Sequence, residues 1–281
     1  MEVTPDIFEA QDRFNEAMTD SARRLSVTSS YGLLPDAEMN ITTIILDEAV
    51  SLKVHALEAV TRSGRLLRVD GDSFSRSLPH AKGKSCYIVV RRDGDVEQEV
   101  NGVVYAKPRF AYDYCTIDEI GRECLPVAKL YMELDMWKVQ ELYVPPCLTL
   151  NAHPWLMQCM AKCKELVHRI AETLETKHGL GNCELLHWVM LELDDYSGNE
   201  SPRQFYLVLK RVAWFLSTRR IEGVAVPQLG PFHPFDNNDF LLCASMVIDY
   251  IEAFHDAVTA EAAPPQEEPK EDFIVYDGII P

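Results

Sequence analysis

The sequence has no apolar run long enough to cross a bilayer. Its longest such stretch near the C-terminal end, Leu241 to Ile248, is far short of the roughly 20 residues a spanning helix needs. Direct membrane insertion is therefore not expected. Positive charge is also scarce. Against 44 Asp and Glu there are only 27 Lys and Arg, a formal charge of -17. A nucleic-acid-binding face needs a basic stripe, and a polybasic membrane patch needs clustered lysines; neither is visible. The opening residues Met1 to Asp6 lack both a basic region and an apolar core, so no secretory signal is expected and the chain is placed in the cytoplasm. Eight cysteines scattered through the chain fit that compartment as reduced thiols.

Catalytic signatures are missing as well. There is no Gly-rich Lys loop for phosphate, no G-x-S-x-G elbow and no H-E-x-x-H pair. Cys159 and Cys163 stand four apart with His168 beyond, a spacing open to a metal. Cys163, however, falls on an apolar helical stripe, where a free cysteine acts as a small hydrophobe. Asp194 and Asp195 are neighbours at a helix end and point in different directions, so a solvated terminus explains them. His153, His187 and His233 lack partners at defined spacing. Cys147 has no basic neighbour to activate it. No catalytic residue, metal site or cofactor is expected, and the chain reads as a non-enzyme.

What is present is a change of period along the chain. Ile7, Phe14, Met18 and Leu25 lie on one helical face behind Thr4-Pro5, so an amphipathic N-terminal helix is expected. From Ile41 to Tyr143 short β-rich runs follow one another: Ile41–Leu46, Val54–Val60, Leu66–Val69, Cys86–Val90, Val100–Ala106 and Pro126–Leu134. Gly64 marks a hairpin turn, Arg91 to Gly94 a strand end, and Asn101-Gly102 a turn or bulge. Closely spaced short strands predict an antiparallel sandwich. Pro145-Pro146 removes two backbone donors and ends the β region. Beyond it the apolar spacing predicts four helices, the third capped by Ser201 with Pro202 in its first position and the fourth opened by Asp236 or Asn237. Four one-sided helices bury their stripes as a bundle. The connection from Thr218 to Phe235 runs 18 residues with three prolines and two glycines, unusually long for a compact domain. The fold class is thus α+β, divided into residues 1–150 (helix plus β-sandwich), 151–260 (four-helix bundle) and 261–281 (acidic tail, expected to be disordered). Within that tail Phe273 to Tyr276 could dock on a sheet edge or groove.

Three stretches resemble the baseplate subunit K (TssK) family of bacterial type VI secretion. They are Thr4-Pro5 through Phe8 and Phe14 to Tyr31-Gly32-Leu33; Leu125 to Leu130 with Trp137 and Tyr143 to Leu148; and Pro202 to Leu216 with Pro227, Pro231 and Phe235 to Phe240. The resemblance implies a structural adaptor that forms a homotrimer, with a shoulder-like β-sandwich bound to wedge subunits of a baseplate assembled at the inner membrane. It further implies a C-terminal domain reaching the membrane complex, near whose expected start this sequence stops; the tail is expected to contact membrane-complex or accessory proteins instead. Partner contacts are assigned to Phe8, Phe14, Tyr31, Trp137, Pro145 and Pro146, and to Phe273 and Tyr276 of the tail. A phage-tail or receptor-binding shoulder protein of the same architecture is the alternative.

Overall fold

The computed structural model describes residues 31–36, 38–46, 49–78, 85–100, 103–179 and 184–260. The N-terminal helix with Phe8 and Phe14, the Asn101-Gly102 turn, and the tail with Phe273 and Tyr276 lie outside these residues. Within them the chain is α+β, with strands first and helices after.

Two antiparallel four-stranded sheets make the first half. In one, β3 (Ala49–Val60) is central. It pairs with β4 (Leu66–Ser77) along one edge, and with β2 (Asn40–Leu46) and the two-residue β1 (Gly32–Leu33) along the other. The second runs β6 (Val103–Cys115), β5 (Ser85–Val100), β7 (Leu125–Glu133), β8 (Met136–Val139). Leu52, Val54, Ile88, Val90 and Leu130 belong to one apolar core shared by both sheets. On the other face of β5, Tyr87 and Val89 join Ile120 and Tyr143 in a smaller cluster.

Several strands are longer than their apolar runs. β4 continues to Ser77 through Asp70, Asp72 and Ser73, whose backbones pair with β3; Asp70 and Ser73 face water, while Asp72 accepts from the Tyr112 hydroxyl of β6 at 2.9 Å. A ladder needs backbone groups, not apolar side chains, so polar residues extend it at a solvated end. Gly94 does not end β5. Arg92 pairs with Phe110 and Asp95 with Pro108, so two residues oppose one, and Gly94 has φ +81°. That is a bulge with glycine in the left-handed region, and the strand resumes beyond it. Asp93, Asp95, Arg92 and Arg109 form ion pairs around it.

Four α-helices follow among the described residues: α1 (Pro154–Thr176), α2 (Glu184–Asp194), α3 (Pro202–Ser217) and α4 (Phe240–Thr259). Their stripes are buried against one another, from Leu156 and Val167 on α1 to Phe205 and Val212 on α3 and Phe254 on α4. Ser201 caps α3 in a capping box with Gln204. α4 starts later than its spacing suggests, capped by Asp239 instead of Asp236 or Asn237. The long connection before it has no regular structure, yet Val226, Leu229, Phe232 and Phe235 pack against the core and Lys210 lies 4.7 Å from the Phe232 ring centre.

Candidate assembly site at the sheet–helix junction

Three segments far apart in sequence meet where sheets and helices join. The backbone around Gly32 presses against Pro146-Cys147. Leu33 donates its N–H to the Pro146 carbonyl at 2.7 Å, and Leu148 donates back to Leu33 at 3.0 Å. Glycine is required there: φ is +129°, and a Cβ would stand 2.4 Å from Pro146 backbone atoms. The third segment precedes α4. Asn237 donates from Nδ2 to the Tyr31 carbonyl at 3.0 Å, and Tyr143 donates its hydroxyl to the Asn238 carbonyl at 2.7 Å. The Tyr31 hydroxyl accepts from Arg62 at 2.8 Å and donates to Asn238 Oδ1 at 3.2 Å, with the Arg62 guanidinium 4.6 Å from the Tyr31 ring centre.

Asp239 is the charged centre of this junction and is 1% exposed. One carboxylate oxygen accepts from the Leu242 N–H and caps α4. The other accepts from the Tyr87 hydroxyl at 2.8 Å and from Lys129 at 2.5 Å. The ion pair thereby fixes the start of a helix to two strands of the second sheet. Burial holds the Tyr143 hydroxyl well above its usual pKa and raises that of Tyr31, so both stay protonated donors. Burial likewise pushes up the Cys147 thiol, which donates to the Pro145 carbonyl at 3.2 Å. These groups are arranged to hold one another, with no acid–base pair open to solvent.

Of the residues assigned from sequence, Tyr31, Pro145 and Pro146 meet at this junction, the two prolines buried. Trp137 stands apart, half-buried in a groove between β2 and β8. Cys159 and Cys163 are buried on α1. Arg62, Lys129 and Asp239 escaped sequence reasoning because nothing local ties them to the motifs they serve.

Two exposed apolar surfaces lie away from the junction. Trp188 is 70% and Trp214 58% exposed. Trp188 is one turn from Glu192 on α2 and Trp214 one turn from Arg211 on α3, and Glu192 and Arg211 form an ion pair at 2.6 Å. Leu185 and Leu207 extend the same helical faces by their spacing. The second surface is the β7–β8 hairpin tip, where Leu134 is 86% exposed with φ +50° and Met136 is 58% exposed. A bulky residue in the left-handed region at a tip is strained, a feature that concentrates at functional positions.

Residues 89–184 match the model of the bacterial type VI secretion family described by VC_A0110, EvfL, ImpJ and VasE. No protein of curated function matches the sequence. Solved structures share the fold. A crystal structure of TssK aligns with a TM-score of 0.63 at 12% identity, over 90% of this chain and 67% of that one. A chain of the TssK-TssF-TssG baseplate subcomplex, seen by cryo-electron microscopy, gives 0.60 at 18% identity, over 92% and 97%. TssK from the type VI system of EAEC, bound to a nanobody, gives 0.54 at 17%, over 87% and 99%. Residues 89–184 carry the family match, and the sheet-then-bundle architecture is the fold that these TssK structures share.

Proposed function

We propose that this chain is a non-catalytic structural subunit of a type VI secretion baseplate, acting in the cytoplasm as a homotrimer bound to wedge subunits. The observation that carries the reading is the pairing of a TssK fold with two separate exposed apolar surfaces, one on each half. Exposed tryptophans are expensive to leave in water and are enriched at interfaces. The α2–α3 face with Trp188 and Trp214 supports self-association, and closed cyclic symmetry suits a part that repeats around a tail. The hairpin tip with Leu134 and Met136 supports wedge docking by the sandwich. Solved complexes of TssK with TssF and TssG indicate the kind of partner. Division into a sandwich unit over 1–150 and a bundle unit over 151–260 belongs to the same proposal.

Light scattering of the purified chain tests it directly. A mass of three chains at micromolar concentration is expected, and Trp188→Glu with Trp214→Glu should reduce it to one chain while the circular dichroism stays unchanged. Leu134→Asp should leave the trimer intact and abolish co-purification of wedge proteins. A monomeric parent chain would overturn the trimer, and wedge binding unaffected by Leu134→Asp would overturn the tip.

A further inference from the structure

One side of the sandwich is open. β2 and β8 are the outer strands of their sheets, with no further strand beside either among the described residues. Between them lies a groove of about 1270 Å³. Ile41, Ile45, Val127, Trp137 and Val139 give it an apolar floor, and Thr42, Lys138 and Glu141 are among its polar lining. Open strand edges invite pairing with other chains, and folded proteins commonly cover them with a helix.

We propose that residues 4–25 of the same chain cover this groove as an amphipathic helix, with Ile7, Phe14, Met18 and Leu25 facing Trp137 and the β2 isoleucines. The path of the chain supports that occupant. Tyr143 and His153 line the groove on its junction side. Tyr143 donates to Asn238, and Asn238 accepts from Tyr31, so the first described residue is tied to one end of the groove. Only residues 26–30 separate Tyr31 from the stripe, and five residues reach at most about 18 Å. The seven residues of β2 span roughly 23 Å. A helix over 4–25 would be about 33 Å long, enough to cover that edge from end to end. Its stripe has to be buried against something, and this groove offers an apolar floor at the end to which Tyr31 is tied.

The acidic tail is the competing occupant, and distance disfavours it. α4 leaves the junction at Asp239 and runs 20 residues, about 30 Å. Residues 261–272, which reach at most about 40 Å, would then have to use most of that length to bring Phe273 back to the groove. They carry five of the tail's six carboxylates, and such a stretch is repelled from the surface of a protein with a net charge of -17.

Hydroxyl-radical footprinting of the full chain, read by mass spectrometry at Met39 and Trp137, tests the assignment. Phe14→Asp and, separately, removal of residues 1–25 should each raise oxidation at both positions at least threefold. Trp188 and Trp214 serve as internal references and should not change. Phe14→Leu should behave like the parent. Unchanged oxidation in both the point variant and the truncation overturns the proposal. So does a rise that follows removal of 262–281 instead, which would make the tail the occupant. A parent chain whose Trp137 becomes as reactive on dilution to monomer as in the truncation also overturns it, because the helix would then come from a second copy.

Discussion

At Gly32 a single hydrogen atom decides whether two segments can meet. A methyl group there would collide with the Pro146 carbonyl and force a backbone that L-residues avoid. Gly32→Ala is therefore expected to cost at least about 2 kcal/mol from strain and overpacking together. Urea denaturation should show it as a lower midpoint with an unchanged slope. His153 acts on the same scale. Its Nδ1 accepts the Trp155 N–H at the start of α1, which only the neutral ring can do, and burial lowers its pKa below 6.5. Folding thus favours the deprotonated ring, while the unfolded chain takes up the proton near pH 6.5. That contribution is complete above pH 6.5 and is lost as pH falls below it. His153→Asp supplies an acceptor that remains charged through this range, so its melting temperature should fall less between pH 7 and pH 5.5 than the parent's.

Among elements, α4 depends most on a single tie. Asp239→Ala removes its cap and leaves Lys129, whose side chain is only 13% exposed, without its carboxylate. Breaking a buried pair from one side costs about 3–5 kcal/mol. Asp239→Ala with Lys129→Met should recover a large part of that loss, measured as a double-mutant cycle in chemical denaturation. An additive cycle would show that the cap alone matters. The position of this tie also marks the limit of what the sequence discloses. Ser201 and Pro202 announce α3 because capping is a local transaction between residues three apart. Asp236, Asn237 and Asp239 offer nearly the same local chemistry, and only Tyr87 and Lys129, more than 100 residues away, choose between them. Gly94 was unreadable for the same reason. A left-handed glycine ends one strand and bulges another, and its partner Phe110-Arg109-Pro108 decides which. The second half of β4 was hidden because its inward face alternates the polar Asp72 with Phe74, so period-2 apolarity breaks off there although both side chains meet Tyr112 of β6.

On the scale of the whole molecule, the three stretches that carry the family resemblance prove to be parts of one contact. Tyr31-Gly32-Leu33, Pro145-Pro146-Cys147 and Asn237-Asn238 were each legible as motifs; their meeting was not, since nothing in linear spacing encodes it. Neither apolar surface proposed for assembly, Trp188 with Trp214 or Leu134 with Met136, contributes a residue to that contact. The predicted trimer should therefore be disrupted by changes that leave the junction intact. Self-association through tryptophans rather than charges should also resist salt, so the trimer's mass is expected to be the same at 50 mM and 500 mM NaCl.

Tyr31 and Asn238 are 207 residues apart, and that separation has a consequence for how the protein is made. At roughly 5–20 residues per second of synthesis, about 10–40 s pass after Tyr31 is added before Asn238 follows it. Throughout that interval the ribosome holds a nascent chain whose strands can pair while the Gly32 segment still lacks the residues that complete its seat. Closure of the junction thus waits until the segment before α4 has been made, and any chain released before then presents its sheets without the clasp that joins them to the bundle.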